Sequence, residues 1–340
     1  MNPKSNIEHL PVYEPGKSTD AVKRELGLTE IIKLASNENP FGASPKAKAA
    51  IAAEIENASL YPDGGSVVLT EALAKFYNVD TNQIIFGAGS DEVILMLARA
   101  FLVQGDETVM ATHTFPQYKH NAGIEGAVSI EVPLVNGVHD LDGMLARINE
   151  RTKIVWICNP NNPSGTIVTH DELEAFIRKV PKHVLIALDE AYVEYTAPES
   201  NFPDSFQLLK EHKNIIILRT FSKIYGLASL RIGYAIGHPD VIRSINQVRE
   251  PFNTSRFAQS AALAAIEDQQ FINDCRQANA EGMQYLKEEF AKLGLGSFPA
   301  HGNFIMVHVA ATPNKPSMRF YARASSSAAA INSDIPSRCG

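Results

Sequence analysis

The chain has little cysteine, no surplus of positive charge and no long hydrophobic run. Its three cysteines, Cys158, Cys275 and Cys339, lie far apart and form no CxxC pair. That argues against a disulfide framework and fits a reducing compartment. The ten histidines contain no HxxxH pair, so no metal site is expected. Lys and Arg number 31 against 38 Asp and Glu, a net charge of −7 that argues against a nucleic-acid partner. No apolar run approaches the roughly 18 residues of a membrane span. Met1 to Leu10 is polar and shows no leader-like apolar core, so the expectation is a cytoplasmic protein without a membrane partner. There is no GxSxG nucleophile elbow. The acidic pairs Asp91-Glu92 and Asp189-Glu190 are adjacent residues pointing in different directions, so facing carboxylates for glycoside chemistry are not implied.

What is present is a 340-residue chain, 45% hydrophobic and 20% charged, long enough for a large domain and a smaller one. Thr152 to Cys158, Val184 to Leu188, Asn214 to Leu218 and Arg231 to Ile236 are short, mostly β-branched runs almost free of polar residues. Such runs suit parallel strands covered on both faces. Between them lie amphipathic stretches such as Asp171 to Lys179, with Thr169 as N-cap. The alternation predicts an α/β fold with a mainly parallel sheet. The first forty residues carry four prolines and little periodicity, and read as an extended arm. From Asn253 the pattern turns helical (Ser255 to Asp268, Phe271 to Leu293), followed by a strand at Asn303 to Val309. After Thr312 the chain loses its pattern, with SSSAAA at 325–330.

Four signals carry chemistry. Gly87 and Gly89 lead into an apolar helix with Ser90 as N-cap and Asp91 and Glu92 in its first turn. A glycine turn feeding a helix N-terminus makes an anion site from free N–H groups and the helix dipole, and the missing third glycine disfavours a dinucleotide. CNPNNPSGT (158–166) is a tight loop after a buried strand, at the edge where open α/β sheets place ligands. Asp189 ends another buried run, where a carboxylate needs a cationic or proton-donating partner. Lys223 follows a third run, with Ser222 beside it and Arg231 eight residues on. Burial and a nearby cation depress a lysine pKa and make it a nucleophile toward an aldehyde, while Ser222 and Arg231 complete an anion cup. Each signal alone equally fits a capped helix, a turn, a structurally paired acid or a solvated lysine.

Taken in order, KLASNENPFGASP (33–45), YPDGG (61–65), GAGSDE (87–92), NPNNPSGT (159–166), DEAY (189–192) and SKIYGLASLRIGY (222–234) resemble the fold-type-I pyridoxal-phosphate aminotransferases, specifically the histidinol-phosphate branch. EPFNTSRFAQSAALAAI (250–266) is similar to the same branch, and the resemblance runs from about residue 7 to residue 309. It implies an N-terminal arm joined to part of the small domain at 1–45, a large cofactor-binding domain at 46–252, and a small α+β domain at 253–312. The stretch 313–340 matches nothing in the family, which implies an incomplete small domain and a frameshift or truncation near Ser317.

By the same resemblance, Lys223 would condense with the aldehyde of pyridoxal 5'-phosphate and later move a proton between substrate Cα and cofactor C4′. Asp189 would pair with the pyridinium nitrogen, and Tyr192 and Asn162 with the ring O3′. The phosphate would rest on the backbone N–H groups of Ser90 and Asp91, with Ser222 and Arg231 adding side-chain donors. Phe115 would stack on the ring, Tyr61 would reach the phosphate of the partner subunit in a homodimer, and Tyr13 and Asn37 would face the substrate. The implied reaction moves an amino group between histidinol phosphate and 2-oxoglutarate, with imidazole acetol phosphate and glutamate on the other side. An aromatic amino-acid aminotransferase, a pyridoxal-phosphate decarboxylase and a catalytically impaired truncated product are the alternatives. The family's carboxylate-binding arginine segment has no match here, since Arg319, Arg323 and Arg338 align with nothing.

Overall fold

Seven short strands form one sheet; six are almost wholly buried, while the edge strand Val128–Val132 is largely exposed. In the computed structural model, which describes residues 2–12, 16 and 18–309, the strands are β1 Ile84–Gly87, β2 Glu107–Ala111, β3 Val128–Val132, β4 Thr152–Cys158, β5 Leu185–Asp189, β6 Ile215–Thr220 and β7 Gly233–Gly237. Their spatial order is β1-β7-β6-β5-β4-β2-β3. Pairings from β6 across to β3 are all parallel, whereas β7 is antiparallel to both β6 and β1. Two reversals cancel, so β1 runs in the same sense as β2 to β6.

Strand periodicity sorts the core into two layers. On β4, Val155 and Ile157 join one cluster, while Ile154, Trp156 and Cys158 join the other. On β5, Ile186 and Leu188 face the first cluster and Leu185 and Ala187 the second, which sends Asp189 to the second. The helix Ser90–Phe101 covers that second face with Val93, Ile94, Met96 and Leu97. The helices His170–Lys179 and Ser205–Glu211 cover the first with Leu173, Phe176, Ile177, Leu208 and Leu209. Each buried Leu or Ile side chain contributes about 1.5–3 kcal/mol relative to its exposed state, so this double burial dominates the fold's stability. A third, smaller cluster joins Met283 of the long helix Gln269–Lys292 to Ile305.

Several expected elements are confirmed and others shift. Thr169 caps its helix in a full capping box with Glu172. Ser255 caps Arg256–Ile266, accepting from Ala258 N at 3.1 Å. Four differences have local causes. The strand expected at Arg231–Ile236 starts at Gly233, because Arg231 takes left-handed backbone (φ 52°) just before it. The extended arm contains a helix at Thr19–Leu26, capped by Ser18 and ended by Gly27 at φ 64°. Asp20 near its start and Lys23 and Arg24 near its end complement the helix dipole, a charge pattern the prolines on either side conceal. The capping residue of Ser90–Phe101 is Gly89, not Ser90, since its φ of 83° and ψ of 169° suit only glycine. Asn303–Val309 is not a strand: a single antiparallel bridge joins Ser297 to Val307, and no described strand lies alongside to extend the ladder. Tyr13, Cys339 and the region around Ser317 lie outside the described residues.

The loop that follows β6 crosses the N-terminal arm closely. Gly226 has φ 69°, and a Cβ there would collide with the backbone carbonyl of Gly42. Gly226→Ala is therefore expected to lower stability by about 2 kcal/mol or more, combining left-handed strain with a backbone clash. A urea midpoint equal to that of the unsubstituted protein would contradict the close crossing.

Candidate active site

Parallel strands deliver their C-terminal ends to one edge of the sheet, and the loops there face a common space. The 158–166 loop leaves β4, the 189–192 turn leaves β5, and Ser222-Lys223 follow β6. Because β1 shares this direction, Gly89 and the first turn of Ser90–Phe101 arrive at the same edge. Because β7 is reversed, Arg231, just before its start, arrives there too.

Asp189 is the most constrained of these residues. It is 2% exposed, and no salt bridge reaches it among the described residues. Its Oδ2 accepts from Tyr118 Oη at 2.6 Å and its Oδ1 from Ala191 N at 3.2 Å. Burial nevertheless pushes its carboxyl up to about 6, as desolvation outweighs both donors. The neighbouring Glu190 goes the other way, into the opposite layer, where Arg219 donates to its Oε2 at 2.7 and 3.0 Å. The two adjacent acids thus serve separate environments, as strand geometry requires.

Lys223 Nζ donates to Ser36 O at 3.1 Å and sits 5.4 Å from the centre of the Tyr192 ring. Burial first, and the positive charge of Arg231 second, lower its pKa, against the opposing pull of Asp91, Glu38 and Asp189. Tyr192 Oη accepts from Asn162 Nδ2 at 3.2 Å and from Asn37 Nδ2 at 3.1 Å, which ties the arm and the β4 loop to one phenol. Phe304 packs edge-on against the Tyr192 ring at 4.9 Å. Arg231 holds the far side: its Nη1 donates to Ser222 Oγ at 3.4 Å, and its Nη2 to Ala88 O at 3.3 Å and Asp91 Oδ2 at 3.1 Å. Gly89 makes this approach feasible, since a Cβ there would lie 2.5 Å from Arg231 Nη2. Phe115 is half-buried beside this space, edge-on to Tyr118 at 5.7 Å.

Of the residues singled out in the sequence, the structure brings together Lys223, Asp189, Tyr192, Asn162, Asn37, Ser222, Arg231, Ser90, Asp91 and Phe115 along this edge. Tyr61 is elsewhere: it is 78% exposed, with its ring stacked on Phe252 at 4.7 Å. Two participants, Ser36 and Tyr118, carry no clear signal in the sequence, and Asp91 has a second role. Ser36 acts through a backbone carbonyl, which leaves no side-chain signal. Asp91 contributes its carboxylate to Arg231 as well as its backbone. Tyr118 follows Phe115 by three residues, and that helical spacing was the one available hint.

These groups fit pyridoxal 5'-phosphate. A buried carboxylate without a cation suits a pyridinium nitrogen, a lysine of lowered pKa suits an aldehyde, and the Arg231–Ser222 pair beside a helix N-terminus suits a phosphate.

The Asp189 shift has a consequence for the cofactor-free protein. The folded value lies above the unfolded one, so its contribution to stability is complete below about pH 4 and is lost as pH rises through about 6. Asp189→Asn should remove that component: denaturant midpoints of the two proteins should diverge between about pH 4 and pH 7, the variant holding its stability better. Parallel pH profiles would contradict a raised carboxyl.

The family model for class I and II aminotransferases matches residues 29–326. The histidinol-phosphate aminotransferase of Brevibacillus brevis is 58% identical over 307 residues, covering 90% of this chain and 84% of its own. That of Bacillus subtilis is 51% identical over 309 residues, covering 90% and 85%. Among solved structures, Sinorhizobium meliloti histidinol-phosphate aminotransferase in complex with pyridoxal-5'-phosphate superposes with a TM-score of 0.82 at 29% identity, covering 89% of this chain and 81% of that one. A putative histidinol-phosphate aminotransferase from Erwinia carotovora atroseptica gives 0.77 at 32% identity, covering 81% and 80%. With a buried acid, a softened lysine and an anion cup on one rim of the sheet, and with these relatives, the chain belongs to the class I and II aminotransferases, enzymes that work with pyridoxal 5'-phosphate.

Proposed function

We propose that this chain transfers an amino group between histidinol phosphate and 2-oxoglutarate, yielding imidazole acetol phosphate and glutamate. The observation that carries the reading is the convergence of Lys223, Asp189 and the Arg231–Ser222 pair on one sheet edge, in a chain 58% identical to a relative named for that activity. Bound there, pyridoxal 5'-phosphate supplies an electron-withdrawing ring that makes the substrate Cα–H acidic.

The protein's own groups do the rest. Lys223 would hold the cofactor through its amine and would serve as the base that takes the proton from substrate Cα. Burial lowers its pKa, the direction a base requires. Asp189 keeps a proton on the ring nitrogen, and Tyr192 and Asn162 serve the ring O3′. Arg231, Ser222 and the N–H groups of Ser90 and Asp91 would hold the phosphate. Phe115 stacks on the ring and lacks the hydroxyl a tyrosine would bring. Asn37 and Tyr13 face the substrate.

The active unit is a homodimer, with Tyr61 reaching the partner's phosphate. This is supported by apolar side chains left in water around Tyr61: Leu60, Val67, Val68 and Phe252 are 59%, 51%, 62% and 47% exposed. Of the division into an arm at 1–45, a cofactor domain at 46–252 and a small domain at 253–312, the last is supported only in its Met283–Ile305 part, since Ala258 to Cys275 pack into the main core. A cytoplasmic setting fits the free, buried Cys158 and Cys275, and no helix among the described residues is long and apolar enough to cross a membrane.

Borohydride reduction of the cofactor-loaded protein should fix a pyridoxyl group on the peptide carrying Lys223, and Lys223→Ala should lose the yellow colour and on the order of 10³-fold or more in kcat. A label on another residue removes the assignment. Glutamate should convert the bound cofactor to its amine form, and release of carbon dioxide instead would point to a decarboxylase. A kcat/KM for phenylalanine above that for histidinol phosphate would favour an aromatic aminotransferase. For the dimer, Lys223→Ala and Tyr61→Ala chains, each nearly inactive alone, should regain activity when unfolded and refolded together, because the mixed dimer holds one intact site. Absence of recovery places Tyr61 outside the neighbouring site.

A further inference from the structure

Behind Asp189 lies a buried polar chain. Tyr118 is fully buried, and its Oη donates to Asp189 Oδ2 at 2.6 Å. Its ring lies flat on Trp156, centroids 4.8 Å apart and planes 9° apart. The Trp156 indole Nε1 donates to Thr108 Oγ1 at 2.7 Å, and Thr108 Oγ1 donates to Ile154 O at 2.9 Å. Trp156 and Thr108 are themselves fully buried. The phenol is therefore clamped by a neighbouring ring that is anchored to the sheet backbone through one hydroxyl.

We propose that Tyr118 is a positioning residue that holds Asp189 ionised and oriented toward the cofactor ring nitrogen, with Trp156 and Thr108 fixing the phenol in place. This rests on the reading that Asp189 partners that nitrogen. A buried carboxylate without a cation reverts to its neutral form unless donors favour the charge. Asp189 has two such donors, the Ala191 amide and the Tyr118 hydroxyl, and the hydroxyl is the shorter bond by 0.6 Å (2.6 against 3.2 Å). Burial raises the Tyr118 phenol well above 10, so it remains a donor throughout the working pH range. The other groups around the carboxyl push the opposite way: Asp91 and Glu190 repel its charge. Cys158, opposite Asp189 in the β4–β5 register, is a thiol whose pKa is pushed up to about 12, so it stays neutral. Lys223 feels the charge of Asp189, and its own proton affinity is reduced by burial. Removing the phenol donor thus shifts the proton shared between ring nitrogen and carboxylate toward the acid.

The test is Tyr118→Phe, which keeps the stack on Trp156 and deletes the hydroxyl. Holoenzyme loaded with cofactor labelled with ¹⁵N in the ring is followed by nitrogen NMR from pH 6 to 9. The unsubstituted protein should show a protonated nitrogen throughout, and Tyr118→Phe a resonance displaced toward the neutral-pyridine position, with cofactor Kd raised about tenfold. In an Asp189→Asn background the same change should alter Kd less than about twofold, because the phenol acts through the acid. An unmoved resonance in Tyr118→Phe, or an equal Kd penalty in both backgrounds, reduces Tyr118 to a packing residue and overturns the proposal. An unprotonated nitrogen in the unsubstituted holoenzyme overturns the Asp189 reading together with it, so the two failures are told apart.

Discussion

The site depends on one uncompensated charge. Asp189 stands at the end of a strand whose other residues are apolar, with no salt bridge to it among the described residues and burial raising its carboxyl to about 6. An acid in that setting costs stability unless something arrives to neutralise it. On the proposed reading the cofactor supplies the missing charge, so that binding energy and ring polarisation come from the same contact. Tyr118, stacked on Trp156, donates to the carboxylate at 2.6 Å.

A second constraint is topological. An all-parallel sheet would bring β4, β5 and β6 to the working edge, but the anion cup needs Arg231 and the Gly89 turn as well. Inserting β7 with reversed sense solves both at once. Its start carries Arg231 to the rim, and its far neighbour β1 regains the parallel direction and delivers a helix N-terminus. Gly89 lets the guanidinium lie against the turn, where any side chain would block it. The arm then closes over the lysine: Ser36 O accepts from Lys223, Asn37 bonds Tyr192, and Asn303 Nδ2 donates to Asn37 O at 3.0 Å. Segments hundreds of residues apart are stitched around one amine.

Much of this was legible beforehand. The buried runs at β4, β5 and β6 read as parallel strands because unbroken Ile, Val and Leu leave no polar face for water. Thr169 and Ser255 were legible as caps, since capping is local chemistry between a hydroxyl and an amide three residues on. Lys223, Ser222 and Arg231 were legible as one unit from their spacing behind a buried run. The failures were places where tertiary or backbone geometry overrides local pattern. Gly89 rather than Ser90 caps its helix because the turn there needs a conformation only glycine takes. The residues 303–309 look like a strand, and Phe304 and Ile305 are buried, yet among the described residues no neighbouring strand accepts their ladder.

From its own residues and their order, the sequence determined that the chain forms a mainly parallel α/β sheet and which lysine, acid and arginine stand at its strand ends. Those follow from side-chain hydrophobicity and local hydrogen bonding, which act over a few neighbouring positions. Only the tertiary structure decided that Tyr118 would serve Asp189 from 71 residues away and that Ser36 would reach Lys223 across 187. It likewise decided that a reversed strand would set Arg231 opposite a helix N-terminus. Contacts of that range are fixed by how layers pack and in which direction each strand runs, and neither is written in any local stretch of residues.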